Sequence, residues 1–278
     1  MPLSAMSTVA LLSDIHGNLP ALRSVLADVK ANGADQVVFG GDIVGYGASP
    51  AECLALVRET GGDCVMGNHE EFVIRLADNG EVSLPNGWEN NPVQAGVVHA
   101  FRSLSDEAVG WITELPLEIP LRGRAVLAHA ALYRPGEWPY IRDALSASAS
   151  LGELRARDLD ICFVGHVHRL AIYGESRIDS GASDYQLDRK PEKVGEDRFH
   201  LAEDAVWAVT VGSVGQSRET GAERHDVRAT WVLWDPEART VEFHRTEYEN
   251  SDAAARILAA GLPAHSARRL LGDDGKTG

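Results

Sequence analysis

The chain has 278 residues, 44% of them hydrophobic and 24% charged, a balance that fits a globular protein with apolar material enough for one large core. Its formal net charge of −15 argues against a non-specific electrostatic grip on nucleic acid or on an anionic membrane. Val9-Ala10-Leu11-Leu12 is too short for a signal core and no stretch approaches a membrane span, so a soluble, cytoplasmic protein is expected.

Thr8 to Ser13 is a short apolar run that stops at Asp14, the pattern of a buried strand running into a functional loop. Asn18 can cap a helix that carries Pro20 in its first turn and Leu22, Val25, Leu26 and Val29 at helical spacing, ending near Gly33. Gln36 to Phe39 predicts a second strand leading to Asp42. A helix from about Pro50 to Thr60 follows, then a third strand at Cys64-Val65-Met66 that ends at Asn68-His69. This β-α-β-α-β order puts polar residues at strand C-termini, where open α/β sheets place their ligands. Residues 71–115 read as a mostly helical insertion in which Trp88, Phe101 and Trp111 pack, and Glu70 is expected to cap the helix that opens it. Ala125 to Ala128 predicts a strand ending at His129. A helix over about 142–157 precedes a strand at Ile161 to Val164, ending at His166. Residues 169–208 are polar and predict a hairpin or surface excursion. The strands Val206 to Val211, Ala229 to Trp234 and Thr240 to Tyr248 come next; the last alternates Val241, Phe243 and Arg245 with Glu242, His244 and Thr246, which suggests antiparallel pairing. Two short helices close one domain spanning 1–272, with a flexible tail at 273–278.

Cys53, Cys64 and Cys162 form no CxxC pair and are expected as small buried hydrophobes in a reducing compartment. The chemistry-bearing residues sit elsewhere. Asp14 and His16 are two apart, as are His166 and His168, and in extended backbone such pairs project to one side and converge on one ion. Asp42 is placed to offer its two oxygens to two metals, and Asn68 adds a neutral amide oxygen. Oxygen and imidazole donors without thiolate suit Mn²⁺, Fe, Zn²⁺ or Ni²⁺. Tyr46 could either donate to a substrate oxygen or cover the following helix. Arg218, Arg224 and Arg228 follow the Gly212-Ser213-Val214-Gly215-Gln216 turn, and Arg218 is the best placed of them to meet phosphate. His99, His200, His225, His244 and His265 match no motif and read as surface or packing residues.

The ordered series Asp14-Ile15-His16-Gly17-Asn18, Gly41-Asp42-Ile43-Val44-Gly45-Tyr46-Gly47, Gly67-Asn68-His69-Glu70, His129, Gly165-His166-Val167-His168 and Gly212 to Gln216 resembles the calcineurin-like metallophosphoesterase superfamily, and within it the compact bacterial and archaeal YfcE-like branch. The resemblance runs from Asp14 to about Leu271. It implies an α/β fold, a four-layer α-β-β-α sandwich of two mixed sheets flanked by helices. It implies two divalent ions, manganese foremost, with Asp14, His16 and His168 on the first, Asn68, His129 and His166 on the second, and Asp42 bridging both. It implies a metal-bridging hydroxide as nucleophile and His69 as general acid towards the leaving oxygen. Ser/Thr phosphatases of the superfamily carry Asp-Arg-Gly where this chain has Gly45-Tyr46-Gly47, so a small phosphoester or nucleotide is the expected partner rather than a phosphoprotein. Diadenosine-polyphosphate hydrolysis is a competing activity. The rival of another class is a non-catalytic metal-binding scaffold, as in the retromer subunit that has this fold without the catalytic His. Assembly as a homo-oligomer stays open.

Overall fold

The computed structural model describes residues 8–80, 84–176, 192–219 and 225–273. Its strands form two mixed sheets. The first holds β1 (Val9–Leu12), β2 (Gln36–Phe39), β7 (Glu192–Gly195), β8 (Arg198–His200), β10 (Ala229–Asp235) and β11 (Thr240–Thr246), in the spatial order β2-β1-β10-β11-β8-β7. The second holds β3 (Glu118–Leu121), β4 (Ala125–Ala128), β5 (Ile161–Val164), β6 (Leu170–Ser176) and β9 (Ala205–Val211), ordered β3-β4-β5-β9-β6. The pairs β1–β2, β4–β5 and β5–β9 are parallel; the other ladders are antiparallel.

Side-chain alternation explains why the sheets stack. Val9 and Leu11 of β1, Leu127 of β4, Phe163 of β5, Trp207 and Val209 of β9 and Trp234 of β10 share one core between the sheets. The intervening residues turn outward. Ala10 and Leu12 meet α1 (Leu19–Ala31), α2 (Pro50–Thr60), α3 (Asn68–Asn79), α4 (Pro92–Ser103) and α5 (Asp106–Thr113) through a second core. On the far side Val126, Cys162, Val164 and Ala208 meet α6 (Ala144–Ala156). These strands are covered on both faces, which is why their sequences read as unbroken apolar runs. The result is the four-layer α-β-β-α order. Two further helices, α7 (Asn250–Ala259) and α8 (Ala264–Leu270), pack on each other beside Ala95. No helix among the described residues is long and apolar enough to cross a membrane.

Two expectations change. Cys64 makes only an isolated parallel bridge with Phe39, so 64–66 is a strand stub: Val65 N–H donates to the Phe39 carbonyl and Met66 N–H turns away to the Pro116 carbonyl. The 169–208 stretch is not a simple excursion. Its first part is β6, a seven-residue partner of the fully buried β9, and Glu192–Gly195 and Arg198–His200 extend the other sheet as a hairpin. Residues 177–191 and 274–278 lie outside the described residues, as do Arg224 and the end of the expected tail. Trp88, Phe101 and Trp111 pack against the helical core as expected, and the three cysteines are buried and free.

Candidate metal centre

The parallel strands of both sheets end at the same place. Asp14 and His16 follow β1, Asp42 follows β2, His129 follows β4, and His166 and His168 follow β5, while Asn68 and His69 are the first residues of α3. The structure brings these eight side chains together, each at most 8% exposed. Their convergence does not come from extended backbone. Asp14, His16, Asp42, His166 and His168 all have φ between 50° and 65°, the left-handed region. For non-glycine residues this conformation costs about 1–3 kcal/mol each, and it persists only where the surroundings over-determine it. Backbone bonds do so here: Asp14 N–H to the Gly41 carbonyl, His16 N–H to the Asp42 carbonyl, and Gly165 N–H to the His129 carbonyl.

The imidazoles are aimed by carbonyls, which can only accept. Nδ1 of His16 donates to Val44 (3.1 Å), Nδ1 of His168 to Gln216 (2.6 Å) and Nδ1 of His129 to Gly40 (2.7 Å). That fixes the tautomers and leaves each Nε2 as a lone pair facing inward. The Nε2 atoms of His16 and His168 then face each other at 3.0 Å, with Asp14 Oδ1 3.0 Å from the latter. In the second cluster His129 Nε2 lies 3.1 Å from Asn68 Oδ1, 3.2 Å from His166 Nδ1 and 3.3 Å from Asp42 Oδ2. Acceptors crowded against acceptors repel unless a cation sits among them. Asp14 Oδ1 and His166 Nε2, buried and without hydrogen-bond partners, add to the same picture. The donor set of oxygen and imidazole fits a pair of divalent ions.

Asp42 joins the clusters differently from the expectation of one oxygen per metal. Its Oδ2 lies 3.7 Å from His16 Nε2 and 3.3 Å from His129 Nε2, whereas Oδ1 accepts the His69 backbone N–H at 2.9 Å. A single oxygen therefore faces both clusters, because the other is held by the first turn of α3. Burial alone would raise the Asp42 pKa, but His129, His69 and His16 hold it well below the usual carboxylate range. Burial likewise opposes charge on His129, yet the Asp42 carboxylate pushes that ring up to about 10, so a positive charge between them is favoured. Burial lowers His168 to about 4 and His166 to about 3, keeping both neutral and available as donors at neutral pH.

Glu70 does more than cap α3. Fully buried, it accepts the N–H groups of Gly67, Asp42, Ile43 and Val44, at 2.8–3.1 Å, and so shapes the loop that carries Asp42. Burial and the Asp42 charge push its pKa up to about 7, against the pull of those donors. Glu70→Leu strands these N–H groups, and the variant should lose about 3–5 kcal/mol of stability in a denaturant titration. A loss below about 1 kcal/mol would show that the loop finds other partners.

The Gly212 to Gln216 turn is a strut for the Asp14 loop: Val214 N–H donates to Ser13, Gly215 N–H and Ser213 Oγ donate to the Asp14 carbonyl, and Gln216 supplies the acceptor for His168. A Cβ on Gly215 would lie 1.8 Å from the Ile15 carbonyl oxygen, so the strut requires glycine.

His69 stands beside the clusters, its Nε2 3.9 Å from Asp42 Oδ2 and its Nδ1 buried without a partner. Gly45 explains the missing partner. A Cβ there would lie 2.0 Å from Nδ1, so the ring packs on bare backbone at the position where a carboxylate would have to sit. Burial, only partly offset by Asp42, lowers His69 to about 3. Tyr46, half-buried, packs at 4.7 Å from the His16 ring and 4.9 Å from the His69 ring. Tyr46 and Arg218 line a cavity of about 290 Å³ over the clusters, together with Phe72, Trp138 and Tyr140.

Sequence reasoning missed Trp138 and Tyr140. Tyr140 stacks on His166 at 3.9 Å, and Trp138 meets His129 edge-on while its Nε1 donates to Glu71. The available signal was the aromatic, proline-punctuated Trp138-Pro139-Tyr140 that follows a ligand-bearing strand end. Among the remaining histidines, His99 Nε2 donates to the Ala48 carbonyl and His244 stacks on Trp231, both packing roles.

A family model described as calcineurin-like phosphoesterase matches residues 7–170, more than half of the chain. The chain belongs to the calcineurin-like phosphoesterase family. It is 31% identical over 269 residues to an uncharacterized protein of Methanocaldococcus jannaschii, covering 95% of this chain and 98% of the other. A crystal structure of a metallophosphoesterase from Sphaerobacter thermophilus superposes with a TM-score of 0.72 at 31% identity, over 97% of this chain and 99% of that one. A shorter likeness, 29% over 131 residues and 46% of this chain, links it to 44% of the symmetrical bis(5'-nucleosyl)-tetraphosphatase of Pectobacterium atrosepticum. Phosphoesterases of this family typically bind divalent metals, and this chain gathers Asp and His ligand atoms in groups within 4.8 Å of one another.

Proposed function

We propose that the protein is a dinuclear metal-dependent phosphohydrolase acting on small phosphodiesters, phosphomonoesters or nucleotides. The observation that carries this reading is the pair of acceptor clusters facing one oxygen of Asp42, with His69 free beside them. Asp14, His16, His168 and Asp42 would hold one ion, and Asn68, His129, His166 and Asp42 the other. When bound, such ions activate water and neutralise the charge that builds on phosphorus.

The protein's own groups do the rest. The carbonyl-anchored imidazoles are preorganised, so little rearrangement is needed on binding. The N-terminus of α3 favours an anion, and the His69 N–H there donates to the Asp42 carboxylate. His69 is neutral in the free site, and a phosphoryl dianion beside it reverses the balance that burial sets. The ring can then carry a proton to the leaving oxygen, through the nitrogen that faces the cavity. Tyr46 and Arg218 supply a hydroxyl and a guanidinium at the cavity wall for the non-bridging phosphoryl oxygens. The Gly45-Tyr46-Gly47 backbone leaves no acidic orienting partner for His69, which supports a small substrate over a phosphoprotein.

The second reading is hydrolysis of a dinucleoside polyphosphate. It is favoured by the tetraphosphatase relative and by an apolar cleft of about 610 Å³ lined by Phe72, Leu76, Leu84, Val93 and Val97, which shares Phe72 and Val93 with the cavity over the clusters. A scaffold without chemistry is the remaining class. Purified protein assayed with bis-p-nitrophenyl phosphate and added Mn²⁺, Fe²⁺, Zn²⁺ or Ni²⁺ is expected to release p-nitrophenol. Silence with every metal, in protein that analysis shows to be loaded, would favour the scaffold.

A further inference from the structure

Beside the cavity over the metal clusters lies a second cleft of about 470 Å³, and Tyr140 and Arg218 line both. Its other walls include Arg142, Arg169, Tyr173 and Thr210. Three guanidiniums line one cleft in a chain whose formal charge is −15, with the Asp143 carboxylate near enough to feel Arg142. Among the described residues no carboxylate pairs with Arg142, Arg169 or Arg218; the nearby Glu219 spends an oxygen on the Leu170 N–H at 2.6 Å.

Two of these side chains are held in place without losing their charge to a partner. Arg142 lies over the Tyr140 ring, 4.1 Å from its centroid, and that ring in turn stacks on His166. Arg169 uses Nε to donate to the Arg218 carbonyl at 3.0 Å, which leaves its terminal nitrogens for a ligand. Arg218 is tied to the same framework, because its backbone N–H donates to the His168 carbonyl at 3.0 Å. An ordered guanidinium with unused N–H donors is suited to bidentate recognition of phosphate oxygens.

We propose that this arginine cleft binds a second phosphoryl group of the substrate while the first lies at the metal clusters. The assignment rests on the phosphohydrolase reading above and narrows it to substrates with linked phosphoryl groups, such as nucleoside polyphosphates. A lone carboxylate would satisfy one guanidinium and leave the others facing each other across the cleft, whereas a phosphoryl group offers three oxygens and up to two charges. Arg218, shared by both cavities, sits where the linkage between the two phosphoryl groups would pass.

The test is calorimetric binding to the metal-loaded protein, which needs no turnover. The probes are methylphosphonate, methylenebisphosphonate, its bis-methylene triphosphonate homologue, and phosphonoacetate as the carboxylate-bearing control. At least one of the longer phosphonates should bind at least about tenfold more tightly than methylphosphonate, with phosphonoacetate close to methylphosphonate. In the Arg142→Gln/Arg169→Gln protein that preference should fall to within about twofold, with methylphosphonate binding unchanged. Direct chelation by the metals would survive in the double variant, so a preference that persists there overturns the proposal. Phosphonoacetate binding as tightly as the bisphosphonate overturns the phosphoryl assignment. Arg142 touches Tyr140, so Arg169→Gln alone is the second variant and should still lower the preference at least about threefold. Hydrolysis of bis-p-nitrophenyl phosphate, which carries one phosphoryl group, should be the same in Arg169→Gln and the parent protein. Its absence in both counts against the phosphohydrolase reading, while the binding preference reports on the cleft itself.

Discussion

His69→Ala is expected to lower kcat on an alkyl or ribose phosphoester by about 10²–10⁴-fold with metal content unchanged, the range that loss of a positioned general acid produces. The ring lies within 4.8 Å of the His16 and Asp42 ligand atoms, but its Nδ1 has no partner and its Nε2 is 3.9 Å from the shared Asp42 oxygen, so removing it leaves the seven donors assigned to the two ions in place. The leaving group separates acid catalysis from simple packing. A p-nitrophenolate departs without a proton, so the same variant should lose much less on bis-p-nitrophenyl phosphate than on the alkyl ester. An equal loss on both substrates would mean that His69 binds the phosphoryl group rather than protonating the leaving oxygen. Burial holds the free ring at about 3, so its acid form depends on the substrate's own charge.

Asp42→Asn should have the broader effect. The amide preserves shape and can still accept the His69 N–H, but the atom facing both clusters loses its charge. Elemental analysis after dialysis should find the metal content reduced by at least half, and turnover should fall at least about 10³-fold at any metal concentration that the protein tolerates. Fold stability without metal should also fall, because His129, His69 and His16 hold the Asp42 charge and the amide leaves His129 without its counter-charge. Full metal occupancy with normal turnover would remove Asp42 from its bridging position.

Much of this was legible along the chain. Short apolar runs located β1, β2, β4 and β5, and helical reading located α1, α2 and α6, within a few residues, because these elements bury one or both faces against their neighbours. The residue types at the strand ends named the donor chemistry, since Asp, Asn and His without thiolate suit few ions. The expectation that failed most instructively was the i, i+2 argument. It assumed extended backbone at Asp14-Ile15-His16 and at His166-Val167-His168, whereas every one of those Asp and His residues is left-handed. Local propensity cannot foretell such a conformation, because it is imposed by hydrogen bonds from loops on other strands.

The sequence by itself determined the strand ends and the kinds of atoms gathered there, which follow from periodicity and side-chain chemistry within a few residues, while the four-layer order came from the family resemblance. Tertiary structure alone decided how those atoms are aimed. His129 takes its tautomer from Gly40, 89 residues away, and His168 from Gln216, 48 residues away. The single-oxygen approach of Asp42 depends on the first turn of α3, and the arginine cleft joins Arg142, Arg169 and Arg218 from three separate segments. Each of these is a contact across long loops, fixed only when two sheets stack and bring the ends of their parallel strands to one edge.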